Sequence, residues 1–333
     1  MIFIVGNSRS GTTMLGRVFG LNSHVHPFEE LHFFEQMIDA KAASENPVWP
    51  RVKLVKLAER LLTSARDGLF ADVVAGRYEG EAAQLVDSLE HPGPVSLYRA
   101  LLLALTHAAG KSVPLEQTPR YLFSAPEILA AFPQSHMINI VRDPRDVLTS
   151  QKNRWKRAQM TDAKVPLVWT VRSWTNYHPL TTSQLWNASV KMARKMERHE
   201  HFHSLSYEAL LADPETELRA LCQKIELPYE DSMLQVSQIG SSMGKDRPDV
   251  QGFDKSRIGS WKTGNLTAAE IALCEKIARD NMHRHGYELS GQRVNPVSQF
   301  ALAATAPVKL AVAAAFNLQR FRNLPEILRR RFG

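Results

Sequence analysis

Four apolar residues in a row, Ile2 to Val5, precede a glycine-punctuated polar stretch, Gly6 to Thr13. Met14, Leu15, Val18 and Phe19 then return at helical spacing. A short, wholly apolar run bounded by turn residues reads as a buried strand over 2–6, and the three-to-four recurrence reads as a helix over 11–20. The same two periods continue downstream. Residues 136–141 and 201–206 read as strands. Helices are expected over 51–66, 96–109, 145–157 and 182–199. In the first of these Leu54, Leu57, Ala58, Leu61, Leu62 and Ala65 share one face. Leu218, Leu221, Cys222 and Ile225 mark another helix after Pro214. Thr267 and Glu270 have the spacing of a capping box, with Leu266 and Ile271 placed as its staple and Gly286 as the stop. Residues 22–26 read as a polar, His-rich turn, and 27–31 as a short strand or helix lining a cleft. Strands alternating with helices predict an α/β fold, a parallel sheet flanked by helices. Residues 41–110 and 155–181 are expected to be helical insertions over the cleft.

The stretch after the first strand carries the chemistry. A tight turn between strand and helix aims backbone N–H groups and a helix N-terminus at one point, which suits a phosphate. Gly6 and Gly11 have the GxxxxG spacing of a P-loop. The triphosphate version continues with Lys, whereas Thr12 stands there and Arg9 lies inside the loop. The alternative is an ordinary strand-to-helix turn. Its place after the first strand and its Ser/Thr content favour a phosphate loop that lacks the triphosphate and magnesium features.

A second block is built on the strand 136–141. Pro144 breaks that strand, and Asp143 is placed to cap the next helix with Pro144 at its first position. Arg142 then falls at the C-terminal edge of the sheet, where open α/β sheets bind ligands. Ser150 follows about two helical turns later.

The run Phe3 to Thr13 resembles the 5′-phosphosulfate loop of sulfotransferases that use 3′-phosphoadenosine 5′-phosphosulfate (PAPS). Its Arg-Ser-Gly-Thr-Thr form is most similar to the tyrosylprotein and bacterial carbohydrate or small-molecule branches. Ile138 to Ser150 resembles the family's 3′-phosphate segment, with Arg142 and Ser150 at the matching spacing. Glu116 to Arg120 resembles its Glu-Lys-Thr-Pro segment, except that Gln117 replaces the Lys. Ser206 to Leu210 with Asp213 to Glu215, and Arg257 to Lys262, resemble two further segments, the last of which closes over the cofactor. The resemblance spans about residues 1–290.

What the resemblance implies is a P-loop-like sulfotransferase fold with PAPS as donor, no metal, and a hydroxyl-bearing acceptor. That acceptor is a carbohydrate or glycolipid, a small molecule or a tyrosine. Arg9, Ser10, Gly11, Thr12, Thr13, Arg142, Ser150, Tyr207, Arg257, Trp261 and Lys262 are then the expected cofactor-binding residues. Arg9 doubles as a catalytic group at the leaving oxygen. The consecutive pair Glu29 and Glu30 reproduces the tyrosylprotein branch, whose second Glu is the base, so Glu30 is the expected base. His24, His26 and His32 compete for that role. The histidine base of the cytosolic branch follows a Lys-Thr segment that here reads Gln117, Thr118, Pro119. The Gln117 departure leaves no catalytic cation to carry over to that position.

Composition bounds the alternatives. The chain has 333 residues, 44% of them hydrophobic, enough for a sizeable core. A net charge of +7 and a pI near 9.4 favour anionic partners. No helix-turn-helix, zinc-finger or RRM pattern is present, so nucleic acid is not expected. The two cysteines, Cys222 and Cys274, fall among apolar residues and read as core. His199, His201 and His203 alternate without matching Cys or acidic partners and read as a solvated face rather than a metal site. An opening core strand leaves no room for a signal peptide, so a cytoplasmic setting is expected.

Domain boundaries are expected at 1–291 for the α/β domain and 292–333 for a helical, basic extension. That extension is Ala- and Val-rich and ends in Arg320, Arg322, Arg329, Arg330 and Arg331. Packing on the domain edge or on a second subunit is the preferred reading, and peripheral contact with an anionic membrane is the alternative. Two other functions compete with sulfuryl transfer. A P-loop small-molecule kinase would need the missing Lys and magnesium. An inactive nucleotide-binding module would bind product without turnover.

Overall fold

The computed structural model describes residues 1–317 apart from 69–70, 160–166, 240–245 and 264. Five parallel strands form the central sheet: β1 (Ile2–Gly6), β2 (Val25–Phe28), β3 (Val113–Gln117), β4 (His136–Val141) and β5 (Phe202–Ser206). Their spatial order is β2-β3-β1-β4-β5. The chain moves to one side of β1 for β2 and β3, then crosses to the other side for β4 and β5. The order therefore switches between β1 and β4, and a crevice opens outside their C-terminal ends.

β1 is apolar throughout because both of its faces are covered. Phe3 and Val5 join one core, with Phe34, Tyr98, Tyr121 and Phe132. Ile2 and Ile4 join the other, with Leu15, Phe19, Leu210 and Leu218. The helices Arg51–Asp67 and Pro94–Ala108 lie inside the first core. These helices, which the sequence reads as insertions, thus pack their apolar faces into the layer on one side of the sheet. In the 155–181 segment, residues 160–166 lie outside the described residues, as do the five arginines from Arg320 onward in the expected extension.

Several boundaries differ from the sequence expectation. The helix expected over 145–157 ends at Lys152, and a 3₁₀ turn, Arg154–Gln159, follows. Residues 25 and 26, expected in a turn, begin β2. β3 carries Pro114, Glu116 and Gln117, so neither hydrophobic period marks it, yet residues 114–117 are buried. The capping box at Thr267 and Glu270 forms, and Leu266 and Ile271 are both buried beside it. Gly286 adopts φ +74° after that helix.

Candidate active site

The loop between β1 and the helix Thr12–Gly20 cannot be built from ordinary residues. Gly6 has φ +149° and Gly11 φ +104°. A Cβ on Gly6 would lie 2.6 Å from the Ile140 carbonyl oxygen, and one on Gly11 would lie 2.6 Å from the Tyr207 ring. Arg9 itself adopts φ +74°, a conformation that costs a non-glycine residue about 1–2 kcal/mol. Gly11 caps the helix without a side chain. The N–H groups of the first turn, starting at Thr12, therefore receive no side-chain cap. Thr12 and Ser10 are buried, whereas Thr13 is exposed.

β4 brings the second block to the same edge. Asp143 caps the helix Pro144–Lys152 by accepting from the Arg145 N–H, with Pro144 at its first turn, as expected. Arg9 Nε donates to Ser150 Oγ at 3.0 Å, so residues 141 positions apart in sequence meet across the crevice. Arg142 donates to the backbone oxygens of Arg9 (3.4 Å) and Arg257 (3.1 Å), and its guanidinium lies 4.3 Å from the Tyr207 ring centroid. Trp186 Nε1 donates to the Arg142 carbonyl at 2.8 Å and fixes that backbone. Arg9, Ser10, Gly11, Arg142, Ser150, Tyr207 and Arg257 thus converge.

The segment from Arg257 to Lys262 is fastened by the helix Pro144–Lys152. Asp146 accepts from Gly259 N, Ser260 Oγ and Trp261 N at 2.8–2.9 Å. Arg145, held by Asp143 and Glu275, stacks 3.9 Å from the Trp261 ring. Trp261 is buried by this packing and Lys262 is exposed. Sequence reasoning missed Asp146, Arg145 and Glu208. Glu208 accepts from the Asp143 N–H and from the Tyr287 hydroxyl. Burial raises the Asp146 and Glu208 carboxyls above their ordinary values.

Charge balance shows what the crevice fits. Arg142 is buried, its Nε meets no hydrogen-bond partner, and its nearest carboxylate, Asp146, stands 4.0 Å away with both oxygens already engaged. Ser10 Oγ and Asn7 Oδ1 are also buried without partners. A buried cation needs an anion. The side chains and first-turn N–H groups here match a phosphorylated ligand.

A second cluster sits at the ends of β2 and β3. Glu30 follows β2 and is half-buried, while Glu29 is exposed. Glu30 Oε2 lies 3.0 Å from His32 Nε2, and Glu35 Oε2 lies 2.5 Å from His32 Nδ1. Burial opposes charge on His32, but its bonds to Glu30 and Glu35 outweigh it and push the imidazole up to about 9. His32 also has φ +53° and precedes a short π-helix, Phe33–Met37. Glu30 further acts electrostatically on half-buried Arg154, four residues beyond Ser150. His24 lies at the opposite, N-terminal end of β2, where its carbonyl accepts from Ser112 and Val113.

Glu116 ends up wholly buried beneath this cluster, accepting from Leu31 N and Thr118 Oγ1. Burial pushes its carboxyl up to about 8. Gln117 is buried against Gly16, where a Cβ would come within 3.3 Å of its amide. Glu35 and Glu116 were not singled out as working groups by sequence, and His32 was named only as a competing base. The available signal was the run of acids and histidine between Glu29 and Glu35.

Residues 2–231 match the sulfotransferase family model. A curated relative from Aquifex aeolicus (strain VF5), described only as an uncharacterized protein, is 27% identical over 248 residues. The match takes in 70% of this chain and 26% of the relative, so the chain spans about a quarter of that protein's length. The sulfotransferase domain from the curacin biosynthetic pathway is similar in structure, with a TM-score of 0.52 at 18% identity, covering 87% of this chain and 98% of that domain. The sulfotransferase domain of the Synechococcus PCC 7002 olefin synthase gives 0.51 at 17% identity, covering 87% and 95%. These two share the fold. The family match covers most of the chain and both blocks at the sheet's switch point, and the chain belongs to the sulfotransferase family.

Proposed function

We propose that the protein transfers a sulfuryl group from PAPS to the hydroxyl of an acceptor. The observation that carries this reading is the meeting of Arg9, Ser150 and Arg142 over an uncapped helix N-terminus. Arg9, Ser10, Gly11, Thr12 and Thr13 would hold the 5′ end of the donor. Arg142 and Ser150 would hold its 3′-phosphate, with Tyr207, Arg257, Trp261 and Lys262 around them. When bound, PAPS supplies an activated sulfuryl group on a phosphate leaving group.

The chain's own residues account for the rest. Arg9 and the first-turn N–H groups stabilise negative charge growing on the leaving oxygen. Glu30 takes the proton of the acceptor hydroxyl. His32, cationic between two carboxylates, fixes one oxygen of Glu30 and keeps that side chain turned to a single position. Gln117 is packed against Gly16 and contributes no cation. The acceptor belongs to the hydroxyl-bearing class: carbohydrate or glycolipid, small molecule, or tyrosine. No metal enters this scheme, and the setting proposed is cytoplasmic.

The test is turnover of PAPS across a panel of such acceptors in the presence of a chelator. Release of 3′-phosphoadenosine 5′-phosphate (PAP) together with a sulfated product supports the reading. A requirement for ATP and magnesium would turn it toward the kinase. PAP binding with no turnover on any acceptor would turn it toward an inactive module.

A further inference from the structure

The segment after β2 is held by side chains rather than by a strand ladder. The pairing of β2 with β3 ends at Phe28 and Glu116. Beyond it, Leu31 N donates to Glu116 Oε1 at 3.0 Å, and Phe33 N donates to the Tyr121 hydroxyl at 2.7 Å. Leu31, Phe33, Glu116 and Tyr121 are all wholly buried. Two anchors therefore bracket His32, where the chain turns with φ +53°. The first anchor grips the residue between Glu30 and His32, whose side chains meet at 3.0 Å.

The Glu116 carboxyl makes this contact with one oxygen. Thr118 Oγ1 donates to the same Oε1 at 2.6 Å, while Oε2 is buried and meets no hydrogen-bond partner. Of the charged groups around it, His32 favours ionisation and Glu30 opposes it. Burial outweighs them and pushes the carboxyl up to about 8. The phenols of Tyr98 and Tyr121 face the same carboxyl and are themselves raised well above their ordinary range by burial. Below pH 8 Glu116 is thus a neutral acid. Two donors converge on Oε1, which leaves the proton to Oε2. Such a group accepts from Leu31 without setting a second negative charge beside Glu30. An apolar side chain in its place would leave the Leu31 N–H buried without an acceptor.

We propose that Glu116 is a positioning residue for the Glu30–His32 pair, its Oε1 holding the Leu31 peptide between them so that the Glu30 carboxylate stands in one place. Its effect on turnover rests on Glu30 being the base, and its effect on the pair does not.

The test uses the full chain with Glu116→Gln, which keeps an acceptor oxygen and cannot ionise, and Glu116→Leu, which keeps bulk and removes the acceptor. NMR titration of the His32 imidazole, assigned by its loss in His32→Gln, reads the pair. His32 should titrate near 9 in the wild type and in Glu116→Gln, and move back toward 6.5 in Glu116→Leu. Turnover of PAPS in Glu116→Leu should fall roughly 10–100-fold, the order expected for a misplaced reacting group, with PAP affinity unchanged. Glu116→Gln should restore it. An imidazole that titrates near 9 in a folded Glu116→Leu overturns the proposal, as does a fall in Glu116→Gln equal to that in Glu116→Leu. Should the Leu variant not fold, hydrogen exchange at Leu31 decides. Its amide should be protected in the wild type and in Glu116→Gln, and exchange as fast as an exposed amide overturns the proposal. The titration and the exchange decide the positioning role even in a chain that turns over no acceptor, so its failure is distinct from failure of the sulfuryl-transfer reading.

Discussion

The two polar clusters at the C-terminal edge of the sheet are built on opposite principles. On the β1/β4 side the working groups are backbone N–H groups and guanidinium ions, held by glycine geometry and by bonds to main-chain oxygens. On the β2/β3 side they are carboxyls and an imidazole whose protonation is set by burial and by one another. The first half offers fixed positive charge, which suits a ligand whose charge does not change. The second offers groups that can exchange protons, which suits a hydroxyl that must lose one. Under the proposed function binding and proton transfer are thus separable, and substitutions in one half should leave the other's signature intact.

The largest expected effect tests that separation. Glu30→Gln keeps the shape of the side chain and removes its basicity. Turnover should fall about 10²–10⁴-fold, the usual worth of a positioned general base, while nucleotide affinity stays unchanged. Single-turnover kinetics alongside calorimetry would read both. A near-normal rate would show that Glu30 is not the base. From the other half, Arg142→Ala should weaken nucleotide binding by about 1.5–3 kcal/mol, the range for a hydrogen bond to a charged group. If affinity is retained and only the rate changes, the division of labour fails.

A smaller effect should appear in stability against pH, and it belongs to the β2/β3 half. His32 has its folded value raised to about 9 from 6.5. Its stabilisation is fully present below the unfolded value and is lost as pH rises through 9. Glu116, raised to about 8 from 4.5, acts in the same direction, because its neutral form is the one the fold prefers. Urea midpoints should therefore fall between pH 4.5 and 9, Glu116 acting from 4.5 to 8 and His32 from 6.5 to 9, with the His32 share on the order of 1–3 kcal/mol. His32→Gln should flatten that part of the slope. An unchanged slope would show that the imidazole is not held as a cation.

The same division explains what could be read in the sequence. The phosphate half was legible because its demands are local. A glycine at φ +104° under a tyrosine ring, or an Asp-Pro pair that ends a strand and starts a helix, leaves a spacing in the chain. The Arg9–Ser150 contact joins two such local signals across the sheet. The other half was legible only at Glu30 and, as a competing base, His32. β3 escaped notice because its buried residues include Glu116 and Gln117, whose burial is decided by β2, His32 and Gly16 rather than by their neighbours in sequence. Asp146 was invisible for the same reason: its three donors come from residues 259–261, more than a hundred positions away.

The central claim is that fixed positive charge at the switch point reads both ends of a nucleotide phosphorylated at its 5′ and 3′ positions. Calorimetry of the full chain with PAP and with AMP, in chelator, tests it directly. PAP should bind clearly tighter than AMP without magnesium, and the preference should shrink in Arg142→Ala. Equal affinity for the two nucleotides in the wild-type chain would mean that Arg142 and Ser150 do not read a 3′-phosphate, and the assignment of the crevice would be wrong.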